Sequence, residues 1–176
     1  MADLENQKEM TNRYILCLAF FAATAITVAS QSRGPSTPTR PFEMRTGRQI
    51  ADVIKDLEEK DGNHQSDVVG QKGVQMRVAV FHDEKRENDL FEVHDASDDI
   101  YYVLEGEATL MLGGTLVEPN ETSPGEWRSK AGTGGQRVTI RKGDVIMVPR
   151  GTPHQRTVMG KGFSMILIKV FESRQP

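Results

Sequence analysis

The sequence predicts an all-β fold, a single antiparallel β-barrel or double-stranded β-helix (jelly roll) with a short N-terminal helix, on three observations. Gly 16 and Pro 8 against an aromatic share of 6% suit short strands and tight turns better than a helical bundle. The C-terminal two-thirds breaks into runs of period-two alternation separated by Gly, Asn, Asp and Pro, the pattern of half-buried strands. A chain of 176 residues that is 37% hydrophobic has room for one core and too little for two.

The elements follow in order. Arg13 precedes an apolar run from Tyr14 to Ala29, and small residues follow at Ser30. That is the layout of a signal peptide or N-terminal anchor over residues 1–30, since the run is shorter than the roughly 20 residues a spanning helix needs. Export to a secreted or periplasmic location is expected, with membrane anchoring if the segment stays uncleaved. Met10, directly before Thr11-Asn12-Arg13, is an alternative start. Residues 31–45 are Ser/Pro/Thr-rich and read as a disordered linker. The only cysteine, Cys17, lies inside the apolar run, so neither disulfides nor thiol catalysis belong to the folded domain.

Residues 46–73 read as a helix and connector, because Ile50, Val53, Ile54 and Leu57 recur at helical spacing before Asp61-Gly62-Asn63 ends the pattern. The barrel is expected over 74–172. Its strands are predicted at 74–82, 89–94, 100–105, 108–112, 136–140, 144–148, 153–158 and 164–170. Gly113-Gly114 signals a hairpin. The polar, Gly-rich stretch 118–135, with the single Trp127, is either a lid over the barrel mouth or a surface excursion. Asn120-Glu121-Thr122 fits a glycosylation sequon. A net charge of -3 from 22 basic and 25 acidic residues, interspersed, leaves no basic stripe, so nucleic acid is excluded as a partner.

Two segments carry chemistry. In the first, Glu92 and His94 are two apart and share a strand face, and Asp99 opens the next strand. In the second, His154 follows the corner Pro149-Arg150-Gly151-Thr152-Pro153, where proline and glycine re-aim the chain. Two imidazoles and two carboxylates make a donor set suited to Mn, Fe, Ni or Zn rather than Ca or Mg. The metal ligands expected are therefore Glu92, His94, Asp99 and His154. Arg156 shares the His154 face and is placed either to hold a substrate carboxylate or in a rim salt bridge. Tyr101 shares the Asp99 face, as a hydrogen-bond donor, an acid or a packed ring. His82 is a weaker lumen candidate, and His64 is expected in solvent.

These segments resemble the cupin superfamily, specifically exported single-domain cupins of the conserved-barrel type. The second cupin motif, G-x5-P-x-G-x2-H-x3-N, matches at Gly143, Pro149, Gly151 and His154. The first, G-x5-H-x-H-x3,4-E-x6-G, matches at His94 and Gly106, and Tyr102 to Thr109 reads Tyr-Val-Leu-Glu-Gly-Glu-Ala-Thr. Departures are Glu92 for the first histidine, Asp99 for the glutamate, Val158 for the final asparagine and Arg86 for the leading glycine. The resemblance implies a divalent metal ion, dioxygenase, isomerase or lyase chemistry on a small-molecule ligand, and a homodimer. The unusual ligand set leaves open a non-catalytic small-molecule or carbohydrate-binding protein with a structural or vestigial ion.

Overall fold

The computed structural model describes residues 34–38, 40–70, 74–160 and 162–173. The expected signal segment, the alternative start and Cys17 lie outside them. The chain divides after Pro41, and the unit from Phe42 onward carries the sheets and the site. No helix among the described residues is long and apolar enough to cross a membrane.

Helix α1 (Gly47–Glu58) starts at a capping box: the Thr46 side chain accepts from the Gln49 backbone N–H, and the Gln49 side chain reaches back to the Thr46 backbone N–H. Two orphan donors are thereby satisfied. Its predicted apolar face packs Ile54 and Leu57 on Val68 and Val80, with Ile50 and Val53 at the edge.

Among the described residues twelve strands follow: β1 (Asn63–Val69), β2 (Met76–Asp83), β3 (Phe91–His94), β4 (Ser97–Leu112), β5 (Thr115–Val117), β6 (Asn120–Ser123), β7 (Glu126–Ser129), β8 (Ala131–Thr133), β9 (Gln136–Arg141), β10 (Val145–Val148), β11 (His154–Thr157) and β12 (Phe163–Phe171). Every pairing among them is antiparallel. The all-β jelly roll with a short N-terminal helix is the observed fold. β4 belongs to both sheets. Its first half pairs with β10 and β12, extending through β2 to β1; its second half pairs with β9 and β11, extending through β3 and β7 to β6.

The two runs predicted at 100–105 and 108–112 are thus one strand that turns a corner. Gly106 makes that corner with φ of +76°, and a Cβ there would sit 2.2 Å from the Gly162 carbonyl oxygen, so only glycine fits both the angle and the approach. Between the sheets lie Tyr101, Val103, Leu110, Ile140, Val158, Phe163 and Met165, each large apolar side chain worth about 1.5–3 kcal/mol when fully buried. Val158, at the position of the motif's asparagine, is core.

Other segments depart from expectation. The stretch read as connector contributes β1, whose partner is β2. Gly113 and Gly114 both adopt positive φ, +77° and +81°, yet the strand after them pairs with β8 rather than folding back on β4, so the turn is a bend and not a hairpin. The 118–135 insertion is neither lid nor loose excursion: β7 extends the second sheet by pairing with β3. Gly132 lies flat against the Phe91 ring, where a Cβ would come within 2.9 Å of Cε1, and Trp127 donates to Asp95 Oδ2 at 2.8 Å.

Candidate metal centre

Strand register places the candidate ligands. His154 on β11 stands opposite Glu92 on β3, and His94 lies two residues along from Glu92 on the same face. Glu92, His94 and His154 each offer one ligand atom, all within 4.8 Å of one another. Glu92 Oε2 is 3.6 Å from His94 Nε2 and 4.0 Å from His154 Nε2, and the two rings are 5.2 Å apart, centroid to centroid. Donor atoms bound at roughly 2.1 Å to a shared ion lie about 3–3.5 Å apart, so small side-chain rotations would close this set. The imidazoles of His94 and His154 therefore converge on one place.

Tautomers agree with that role. His154 Nδ1 donates to the Thr152 carbonyl at 2.9 Å, which leaves Nε2 as a lone pair, and that nitrogen is buried with no hydrogen-bond partner among the described residues. An unpaired buried acceptor costs about 1–3 kcal/mol unless something fills it. Burial pushes the His154 pKa down, against the smaller opposing effects of the Thr152 carbonyl and Glu92, and keeps the ring neutral as a ligand must be. His94 Nδ1 donates to Glu126 Oε2 at 2.6 Å, the carboxylate-histidine arrangement that orients metal-binding imidazoles.

Asp99 sits beside these three but is held differently. Its Oδ2 is 3.6 Å from His94 Nε2, while Lys169 Nζ lies 2.9 Å from Oδ1 and the Tyr101 hydroxyl donates to Oδ2 at 3.4 Å. Lys169 stands directly opposite Asp99 in the β4–β12 register. Tyr101 both fills the core and reaches Asp99. Burial first, then the Asp99 charge, push its pKa far above the ordinary tyrosine range, so the hydroxyl is a proton-bearing donor. The chain's other histidines lie elsewhere. His82 Nδ1 is 3.0 Å from Ser164 Oγ and borders a different hollow, near Glu58 and Gly162. His64 is on β1, half-buried, donating from Nε2 to the Asp61 carbonyl at 2.8 Å.

The Glu92, His94 and His154 cluster opens onto a cavity of about 400 Å³, within the range of small-molecule sites. Arg156 lines it, with Nε bonded to Asp83 Oδ2 at 2.8 Å and the guanidinium 5.6 Å from the Phe81 ring centre and 6.0 Å from that of Phe163. Asp83 is fully buried. Burial opposes its ionisation, but Arg156 and then Arg86 prevail and hold its carboxyl below the usual range.

Sequence reading missed Lys169 and Glu126. Lys169 was legible in principle, because it continues the inward parity of Phe163, Met165 and Leu167. Glu126 was not, since only the pairing of β7 with β3 brings it opposite His94.

No protein-family model matches the chain, and no curated protein does. Among solved structures it is similar to the DMSP lyase DddQ of Ruegeria pomeroyi, with a TM-score of 0.46 and 18% identity over 62% of this chain and 47% of that one. It is also similar to KdgF of a Halomonas species, at 0.45 and 14%, covering 63% and 82%, and to a cupin superfamily protein of Desulfitobacterium hafniense, at 0.44 and 19%, covering 64% and 80%. The chain thus spans about half the length of the lyase. The jelly-roll architecture rests on the antiparallel strand order itself.

Proposed function

Taking the chain as a cupin-fold barrel, we propose that it binds a divalent metal ion and acts as a metal-dependent enzyme on a small polar metabolite, with chemistry of the dioxygenase, isomerase or lyase kind. One observation carries this reading: the buried, unpartnered Nε2 of His154 aimed where His94 and Glu92 also converge. Two imidazoles and one carboxylate form a donor set suited to Mn, Fe, Ni or Zn. An ion there would supply Lewis acidity or, if iron, oxygen activation. Around it the chain's own residues have distinct work. Glu126 orients His94, and Thr152 fixes the His154 tautomer. Lys169 holds Asp99 beside the three ligands, where it stands as a fourth only if it leaves the lysine.

A binding role without turnover is favoured by a separate observation: neither neighbouring carboxylate is free to act as a base, Asp99 being tied to Lys169 and Glu126 to His94. Metal analysis of protein purified without added ions, then oxygen uptake and product analysis across a metabolite panel, separates the two. Retained metal that His154→Ala abolishes supports the shared site; turnover then selects the enzyme.

Export and homodimer formation stay proposals as well. A second copy fits the exposed strip of Tyr102, Val145 and Met147, which continues outward from the apolar sheet face whose other half α1 covers. Val145→Glu/Met147→Glu should then shift the sedimentation coefficient from dimer to monomer.

A further inference from the structure

We infer that Arg156 is the carboxylate anchor of this cavity, so that the ligand is a small organic acid gripped by the guanidinium fork while its remaining polar group faces Glu92, His94 and His154. The inference rests on the metal reading above and names the substrate class for the same site.

The other cations lining the cavity are already engaged. Lys169 is matched by Asp99, Arg128 by Glu126, Arg77 by Asp67, and Arg86 by both Asp83 and Asp89. Each uses its terminal nitrogens on a carboxylate. Arg156 does not. Asp83 takes its Nε at 2.8 Å, and no described residue bonds either Nη.

That geometry is unusual for an arginine whose side chain is only 11% exposed. A simple rim salt bridge would put the two-nitrogen fork on the carboxylate, where bidentate pairing is strongest. Here Asp83 grips the guanidinium from behind, and the rings of Phe81 and Phe163 flank it at 5.6 and 6.0 Å, contacts that restrain a cation without consuming its donors. The fork is held rigid with its donors unspent, which lowers the entropic cost of binding. A planar fork of this kind matches a carboxylate far better than it matches an alcohol or an amide.

Position and charge agree. Arg156 shares the His154 face of β11 two residues on, about 6.6 Å along a strand, so one short molecule reaches both. A divalent ion facing Glu92, with the remaining cavity charges paired, leaves one positive charge, which a single carboxylate cancels.

The test uses the full chain loaded with manganese and hydroxy acids of two to four carbons, glycolate through 4-hydroxybutyrate, each beside its neutral amide. Binding is read by calorimetry and manganese content by elemental analysis, for the native protein and Arg156→Lys. The expected result is unchanged manganese in Arg156→Lys, at least tenfold weaker binding of the preferred acid, and weak amide binding that the substitution does not alter. Equal acid affinity in both metal-loaded proteins overturns the carboxylate anchor and leaves the metal site standing. A native protein that retains no manganese overturns the metal reading, and this inference with it. If Arg156→Lys does not fold, the acid-to-amide comparison on the native protein decides, equal affinities refuting the proposal.

Discussion

Replacing Lys169 by methionine tests how the site is balanced. Lys169 and Asp99 are both buried, 8% and 3% exposed, and face each other across β12 and β4 with Nζ 2.9 Å from Oδ1. Removing the lysine leaves a carboxylate without its countercharge in a low-dielectric interior, which costs about 3–5 kcal/mol. At roughly 3–4 °C per kcal/mol for a folded unit of this size, the metal-free Tm should fall by about 10–20 °C. Replacing both partners, Asp99→Leu with Lys169→Met, removes the stranded charge and should recover most of the loss. A second comparison separates structure from site. Asp99 Oδ2 lies 3.6 Å from His94 Nε2, so a carboxylate released from Lys169 is placed to join a bound ion, and manganese should raise the Tm of Lys169→Met more than that of the native protein. Thermal unfolding in chelator and in excess manganese measures both effects. A chelated Lys169→Met that melts within about 3 °C of the native protein would refute the claim that this pair is a buried, mutually dependent charge pair.

Three further outcomes follow. Glu126→Gln weakens the acceptor that orients His94, so manganese affinity should drop roughly 10–100-fold with the fold intact, as competition with a metallochromic chelator would report. Asp83 has a depressed folded pKa; its unfolded form binds more protons as acid is added, so its stabilisation is complete above about pH 4 and is lost as pH falls through the folded value. Asp83→Asn should therefore unfold more readily in urea at pH 7, with the gap to the native protein narrowing in urea melts stepped toward pH 2. Gly106→Ala must push a Cβ into a carbonyl oxygen 2.2 Å away at a φ of +76° and should cost at least about 2 kcal/mol, read as a lower urea midpoint with unchanged metal stoichiometry per folded chain.

The sequence by itself determined the local order of this protein and pointed to its candidate ligands. Alternation of period two marks strands wherever one face is buried, so seven of the strand segments were visible, and the α1 stripe from Ile50 to Leu57 was visible because a helix repeats its face every 3.6 residues. His154 stood out because Pro149, Gly151 and Pro153 restrict the backbone before it, and Glu92 with His94 because two-residue spacing puts side chains on one face. The tertiary structure decided what depends on register between distant strands. Nothing local says that β7 would leave the insertion to pair with β3 and set Glu126 against His94, or that Lys169 would arrive opposite Asp99 and hold it. Nor does spacing reveal that Asp83, far along the chain, takes only the Nε of Arg156. Periodicity reports which face a residue occupies; only the closing of the two sheets on their shared core decides which charge it meets there, and that choice of partner sets the chemistry of the cavity.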